Sequence, residues 1–259
     1  MSNLSVALSS TGFKFPAHAG VLTAIDSDRD TDIVEIAGSS GGALIGGMYA
    51  CGVSLPDIKT WCVHSNWLSF YQNGIGKGGL IDLKDFAKHL DKLMGHKRLG
   101  DLGIDFKAMA CDLNSHSQVV LSRDTFPEMK VSDAVRASIA IPGVFTPLHY
   151  QGLLLSDGAI MNTLPINMLH ANCAKVGFRV TYPAVYKVPP TTSMMVIARR
   201  AIYMIVDRGN SWAVDKAGVP VMDIHTGYAD GLDVFMGKHK RHKLIDSGYH
   251  AAMKFVDSY

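Results

Sequence analysis

Cysteine is scarce and unpatterned in this chain. The four thiols, Cys51, Cys62, Cys111 and Cys173, lie far apart with no CxxC pair and no cysteine–histidine spacing. That excludes a zinc finger and a disulfide scaffold, and no cluster of calcium or zinc ligands stands elsewhere, so no metal or other cofactor is expected. The first three cysteines sit in apolar surroundings and read as buried thiols of a reducing compartment. A secretory signal is not visible, because Met1-Ser-Asn-Leu-Ser lacks a basic segment followed by a long apolar one. Nor does any uninterrupted apolar run reach the roughly 18 residues of a membrane span. The expected location is cytoplasmic, or peripheral at a membrane surface. Charge of one sign is lacking too: 25 Lys and Arg against 23 Asp and Glu leave a net +2. A global electrostatic case for nucleic acid is therefore missing, and no such partner is expected. Internal repeats and low-complexity segments are also absent.

What is present is an apolar, ordered chain of 259 residues, 47% hydrophobic and 19% charged, read as a single domain over residues 1–259. Leu4–Ser9 reads as a first strand, followed by the loop Ser10–Pro16 and a helix through His18 to Asp26. A second strand, Asp32–Ala37, leads to Ser40, and a helix follows Gly41. Leu55–Phe70 has helical spacing with Pro56 in its first turn. Gly74–Gly79 is a loop, and Leu83–Met94 is amphipathic, with Leu83, Phe86, Leu90 and Leu93 on one face. Strands are expected at Asp105–Cys111 and Gln118–Ser122, a helix at Val131–Ser138, and a short strand at Leu153–Leu155. Strands at Val176–Thr181 and Val219–Ile224 flank a proline-rich loop and a helix from Ser193 to Asp207. This alternation predicts a three-layer α/β/α fold around a mainly parallel central sheet.

The stretch Gly38-Ser39-Ser40-Gly41-Gly42 interrupts a strand and opens a helix. Its glycines either let two elements pack closely or put Ser40 on a strained corner with its hydroxyl thrust forward. A serine there would meet the open N–H groups and dipole of a helix N-terminus, yet it still needs a base. The base is either a histidine held by an acid or a carboxylate acting directly. Asp157, at a strand end before Gly158, suits the second role if burial raises its pKa; otherwise Asp157-Gly158 is only a turn. The loop Ser10–Lys14 offers backbone N–H groups for an oxyanion hole, with Gly12 allowing close approach. Lys14 either adds positive charge there or is a solvated loop charge. His18 reads as a hydrogen-bonded core histidine.

Taken together, Ser9-Ser-Thr-Gly-Phe-Lys14, His18-Ala-Gly-Val-Leu22, Gly38–Gly42, Gly79-Leu-Ile-Asp82, Asp133–Ser138 with Ile141–Phe145, and Asp157-Gly158-Ala159 leading to Pro165 resemble the patatin-like phospholipase family. The stretches occur in the family's order over about residues 4–170. A weaker echo follows at Val219–Ile224 and at Ile245–Phe255. The resemblance implies a serine–aspartate dyad without histidine that hydrolyses acyl esters of phospholipids or other lipids. Ser40 is then the nucleophile and Asp157 the base. Thr11, Gly12 and Gly41 supply the oxyanion hole, and Gly38, Gly42, Lys14 and Gly158 support the elbow and loop. Two positions depart from the pattern. Ser10 and Thr11 stand where the family commonly has glycines, and Thr163 stands where asparagine is usual.

The implied partner is an acyl-lipid substrate, with membrane contact, an activator and the oligomeric state left open. Met194–Val206, apolar nearly all round but broken by Arg199-Arg200, is either an interfacial helix or an ordinary buried one. Lys238–Lys243 either contacts anionic lipid or nucleic acid or is a solvated helix start. Three rivals remain open: a triad hydrolase using His225, an inactive lipid-binding protein with a degraded oxyanion loop, and an acyltransferase using the same Ser40 and Asp157.

Overall fold

The first strand, Ser2–Leu8 (β1), is buried from Leu4 onward, as a strand flanked on both edges must be. In a computed structural model, which describes residues 2–181, 194–216 and 218–258, β1 lies between parallel neighbours in the central sheet. Its sequence continues into α1 (Pro16–Ser27), whose Pro16 fits the first helical turn. There follow β2 (Thr31–Ser39), α2 (Gly41–Ala50), α3 (Leu55–His64), β3 (Gln72–Asn73), β4 (Gly79–Asp82) and α4 (Lys84–Leu93). Next come β5 (Asp105–Asp112), β6 (Ser117–Leu121), α5 (Val131–Ser138), β7 (Gly143–Phe145), β8 (Leu148–Tyr150) and β9 (Leu153–Asp157). The described chain closes with β10 (Ala174–Val180), α6 (Met194–Lys216), β11 (Val221–Ile224) and α7 (Lys238–Val256).

The main sheet runs β11-β10-β1-β2-β5-β9-β8, parallel from β11 to β5, with β9 and β6 pairing antiparallel to β5. Alternation along β1 divides the core. Leu4, Val6 and Leu8 face the larger cluster with α1, α2 and Phe106, while Ala7 and its register partner Ala37 face Leu164, Ile166, Leu169 and Ala213 of α6. The sheet thus carries helices on both faces, as the alternating pattern predicts. One strand sets up the site: on β5, Met109 pairs with Ser39 of β2 and the next residue, Ala110, pairs with Asp157 of β9. Adjacent residues of β5 therefore hold together two strand ends far apart in sequence.

Three sequence expectations need correction. The helix from Leu55 ends at His64 rather than Phe70, because Ser65 turns extended and Trp67 enters the core in a separate 3-10 turn, Trp67–Phe70. The side chain that stops it is Arg241, which donates to the carbonyls of Val63 and Ser65 and lies 3.6 Å over the Trp67 ring. A guanidinium on the last carbonyls of a helix satisfies groups that the helix itself leaves open. For the same reason Lys238–Lys243 is not solvated throughout: Lys238 to Lys240 are exposed but Arg241 is buried. Finally, α6 runs on past Asp207 to Lys216. Gly209 does not end it, because that glycine lets the helix pass close to Thr163. The proline-rich loop expected before α6, Ser193 and the side chain of Arg199 lie outside the described residues.

Candidate active site

Ser40 follows β2 and precedes α2 with φ 51° and ψ −119°, a left-handed conformation that a non-glycine residue adopts only at a cost of about 1–3 kcal/mol. The surrounding structure enforces it. The Ser40 N–H donates to Ser138 Oγ at 3.0 Å, and that hydroxyl donates onward to the Met109 carbonyl. Gly42 has room for no side chain, since a Cβ there would lie 2.2 Å from the Leu8 carbonyl oxygen, and Gly38 is pressed against Ala43. The outcome is a hydroxyl at the head of α2, beside N–H groups that no helical carbonyl reaches.

That hydroxyl donates to Asp157 Oδ2 at 2.8 Å, across 117 residues of sequence. The other carboxylate oxygen accepts the Ala159 N–H at 2.8 Å in the 3-10 turn that starts at Gly158. Burial is the dominant influence on Asp157 and raises its pKa to about 7, against the opposing pull of the Ala159 and Ser40 hydrogen bonds. A base near neutrality is matched to serine activation in a way that an ordinary aspartate is not. Among the described residues no histidine lines the cavities at Ser40, and His225 is exposed just after the edge strand β11.

The loop after β1 brings the remaining candidates. Ser10 N–H is tied to the Thr163 carbonyl at 2.8 Å and Phe13 N–H to the Gly231 carbonyl at 2.8 Å. Between them the chain turns at Gly12, φ +56°, where a Cβ would lie 2.1 Å from the Gly231 oxygen. Neither Ser10 nor Thr11 takes a positive φ. Gly12 and Gly41 both line the space beside Ser40, while Thr11 packs behind Gly41 and donates through its hydroxyl to the Gly12 carbonyl at 3.0 Å. Lys14 lines neither cavity. It is buried, its Nζ donating to the Thr181 carbonyl and Thr226 Oγ1 at 3.0 Å each, and desolvation lowers its pKa to about 7. His18 is fully buried with Nε2 2.8 Å from the Ser9 carbonyl, and burial lowers its pKa to about 4.

Ser40 stands where two cavities meet, with Gly12 and Ile141 also common to both. One, with about 500 Å3 of empty space partly open to solvent, is walled by aromatic rings including Phe13, Phe15, Trp61, Trp67 and Phe86. The other, with about 800 Å3, holds Asp157 and is bounded by Ile202, Tyr203, Ile205 and Val206 of α6. Ser138, Met109 and the Ala159 N–H are positioning groups that the sequence reading missed. Ser138 and Ala159 each left a trace as the last residue of a quoted motif, but only the contacts with Ser40 and Asp157 explain their purpose.

Similar proteins are known both by sequence and by fold. An uncharacterized NTE family protein of Mycobacterium tuberculosis is 34% identical over 166 residues, 63% of this chain and 44% of the relative. A lysophospholipase NTE1 of Scheffersomyces stipitis is 24% identical over 178 residues, 66% of this chain and 11% of that protein. The match thus spans less than half the length of these relatives. Among solved structures, VipD from Legionella pneumophila superposes with a TM-score of 0.62 at 17% identity, covering 99% of this chain and 67% of that one. The type III effector ExoU gives 0.55 at 12% identity over 99% of this chain and 53% of that one. The family model described as patatin-like phospholipase matches residues 6–170, the span that contains the elbow, the loop after β1 and Asp157. By that match, over more than half its length, the chain belongs to the patatin-like phospholipase family.

Proposed function

We propose that this protein is a lipid acyl hydrolase of phospholipase A or lysophospholipase type that works through a Ser40–Asp157 dyad and an acyl-enzyme. The observation that carries the reading is the 2.8 Å bond from a strained, helix-capping Ser40 to a buried carboxylate whose pKa is raised to about 7. Ser40 Oγ attacks the ester carbonyl while Asp157 Oδ2 takes its proton. The tetrahedral oxyanion is held by the N–H groups of Gly12 and Gly41. Asp157 then gives that proton to the departing alcohol oxygen, leaving the acyl group on Ser40. Water attacks the acyl carbonyl, its proton passes to Asp157, and the fatty acid leaves as Ser40 Oγ recovers a proton from Asp157. The lysophospholipase named among the relatives adds weight to a lipid ester as substrate.

Access to lipid at a surface is supported by the rim of the second cavity. Met204 is 72% exposed on α6, with exposed Arg200 and Arg208 one turn before and after it on the same face. Phe235, 78% exposed, lies just before the exposed Lys238 and Lys240. Apolar tips flanked by long cations suit an anionic lipid interface. Among the described residues no helix is long and apolar enough to cross a membrane.

The test is release of fatty acid from phospholipid vesicles and from a soluble short-chain ester by wild type, Ser40→Ala and Asp157→Asn. Hydrolysis by wild type and its loss in both folded variants are expected. Undiminished hydrolysis by Ser40→Ala, or acyl transfer to an added alcohol in preference to water, would overturn the reading.

A further inference from the structure

We propose that the two cavities divide the substrate: the acyl chain enters the aromatic cavity, whose far wall of Trp61 and Phe86 sets its length limit, and the leaving group lies in the cavity along α6. The inference rests on the hydrolase reading above. Asp157 lines the α6 cavity and not the aromatic one. Since the same carboxyl must reach the departing oxygen, the leaving group has to lie on Asp157's side of Ser40. The alkyl chain on the carbonyl carbon then points into the other opening.

The side chains that line the two cavities fit the same assignment. Among the described residues around the aromatic cavity, Tyr71 is the one lining side chain besides Ser40 with a hydroxyl, and the other polar side-chain groups are the indole N–H of Trp61, bonded to His89, and that of Trp67, which is buried without a hydrogen-bond partner. Alkyl chains gain there by burial against the rings and aliphatic side chains of the wall. The α6 cavity is also mainly apolar but adds Ser10, Asp157 and Tyr203, so a polar leaving group has hydrogen-bonding side chains there, and its lining reaches the exposed Ile160 and Ile205.

A row of rings marks the path of the chain. Phe15 lies against Gly41 at the oxyanion side, Trp61 is 5.8 Å from Phe15, and Phe86 is 6.2 Å from Trp61. The end of the row is braced, because Trp61 Nε1 donates to His89 Nε2 at 3.0 Å and Phe70 stacks on His89 at 4.4 Å. Two ring spacings beyond Phe15 match the length of a medium chain such as octanoyl and leave the tail of a palmitoyl chain without a place.

The experiment is kcat/KM for a butyrate, octanoate and palmitate series of one alcohol's esters, with wild type, Phe86→Leu, Phe86→Ala, Ile139→Phe and Ile205→Phe. Wild type is expected to prefer octanoate. Phe86→Leu and Phe86→Ala should raise the palmitate-to-octanoate ratio about tenfold or more, the scale at which pockets discriminate methylenes. Ile139→Phe, which fills the aromatic cavity, should move the optimum toward butyrate. Ile205→Phe should leave the chain-length ratio within about twofold and raise KM for esters of bulky alcohols. Ser40-dependent hydrolysis whose chain-length ratio follows Ile205→Phe and ignores Phe86 and Ile139 would overturn the division while sparing the hydrolase. Absence of both ester turnover and Ser40 labelling by a fluorophosphonate would remove the hydrolase reading and the division with it.

Discussion

Replacing Asp157 by asparagine should abolish hydrolysis and make the protein more stable, by an amount that grows with pH between about 4 and 7 and is complete above about pH 7. The carboxyl is buried, and burial raises its pKa from 3.8 to about 7 despite the hydrogen bonds from Ala159 and Ser40. Between those values the folded chain keeps a proton that the unfolded chain has released, so stability falls as pH rises through the window and stays lost above it. A shift of this size corresponds to about 4 kcal/mol at most. Asparagine is neutral at every pH and nearly isosteric. Its Oδ1 can accept the Ala159 N–H, and its Nδ2 can donate to Ser40 Oγ, reversing the present bond. Imperfect geometry takes back about 1–2 kcal/mol. A net gain of about 2 kcal/mol above neutrality raises Tm by about 4–8 °C for a chain of this size. Thermal unfolding of both proteins across pH, with intact folding checked by circular dichroism, measures it. A Tm difference that is equal at acid and alkaline pH, or that favours aspartate above pH 7, would refute the reasoning. The same titration predicts that wild-type kcat/KM climbs with pH and levels off above about 7.

Ser40→Gly and Ser40→Ala should both be inactive, with the glycine variant more stable by about 1 kcal/mol in denaturant melts, because only glycine occupies φ 51° without strain. Lys14 has the opposite pH signature to Asp157. Burial drops its pKa to about 7, so the unfolded chain binds the extra proton from there up to the ordinary lysine range and stability rises with pH across that window. Lys14→Met should flatten this rise, and an unchanged slope in chemical denaturation would show that Lys14 is charged in the fold. Met204→Asp combined with Phe235→Asp should lower hydrolysis of anionic vesicles about tenfold while leaving a soluble short-chain ester untouched. Equal loss on both substrates would count against the docking face.

The central sheet and the amphipathic helices are legible because a few residues carry periodic signals: Phe86 and Leu90 point α4 inward, and Val131–Ser138 is bounded as its pattern suggests. The short strands β3, β7 and β8 are not, since two or three residues have no period and owe their form to partners such as Asp82 or Leu155. Glu35 sits within an apolar strand run, and only the fold supplies Lys107, whose ammonium neutralises it, and the N–H groups of His170 and Ala171. Likewise the end of α3 depends on Arg241, 178 residues beyond Val63. In the site, the glycine motif marks Ser40, but the sequence has no way to state that β5 carries it to Asp157. Lys14 looks like a loop charge because burial of a lysine needs two acceptors, Thr181 and Thr226, that no local pattern announces.

Ser10 and Thr11 in place of two glycines suggest a degraded oxyanion loop, but neither residue takes the positive φ that would strain it. Only one residue of the turn needs a positive φ, and that residue is Gly12. At Ser10 the chain is fixed by its N–H on the Thr163 carbonyl, so the main chain at Thr163 is used even though its side chain departs from the family's asparagine. At Thr11, φ is −140°, within reach of any residue, and the side chain fills the space behind Gly41 while bonding to the Gly12 carbonyl. A glycine at either position would widen the unfolded ensemble and raise the ordering cost by about 0.5–1 kcal/mol. Serine and threonine therefore stiffen the turn that, in the proposed mechanism, aims N–H groups at the reacting carbonyl. Preorganisation of that kind favours stabilisation of a developing charge, because donors already in place need no rearrangement when the charge forms.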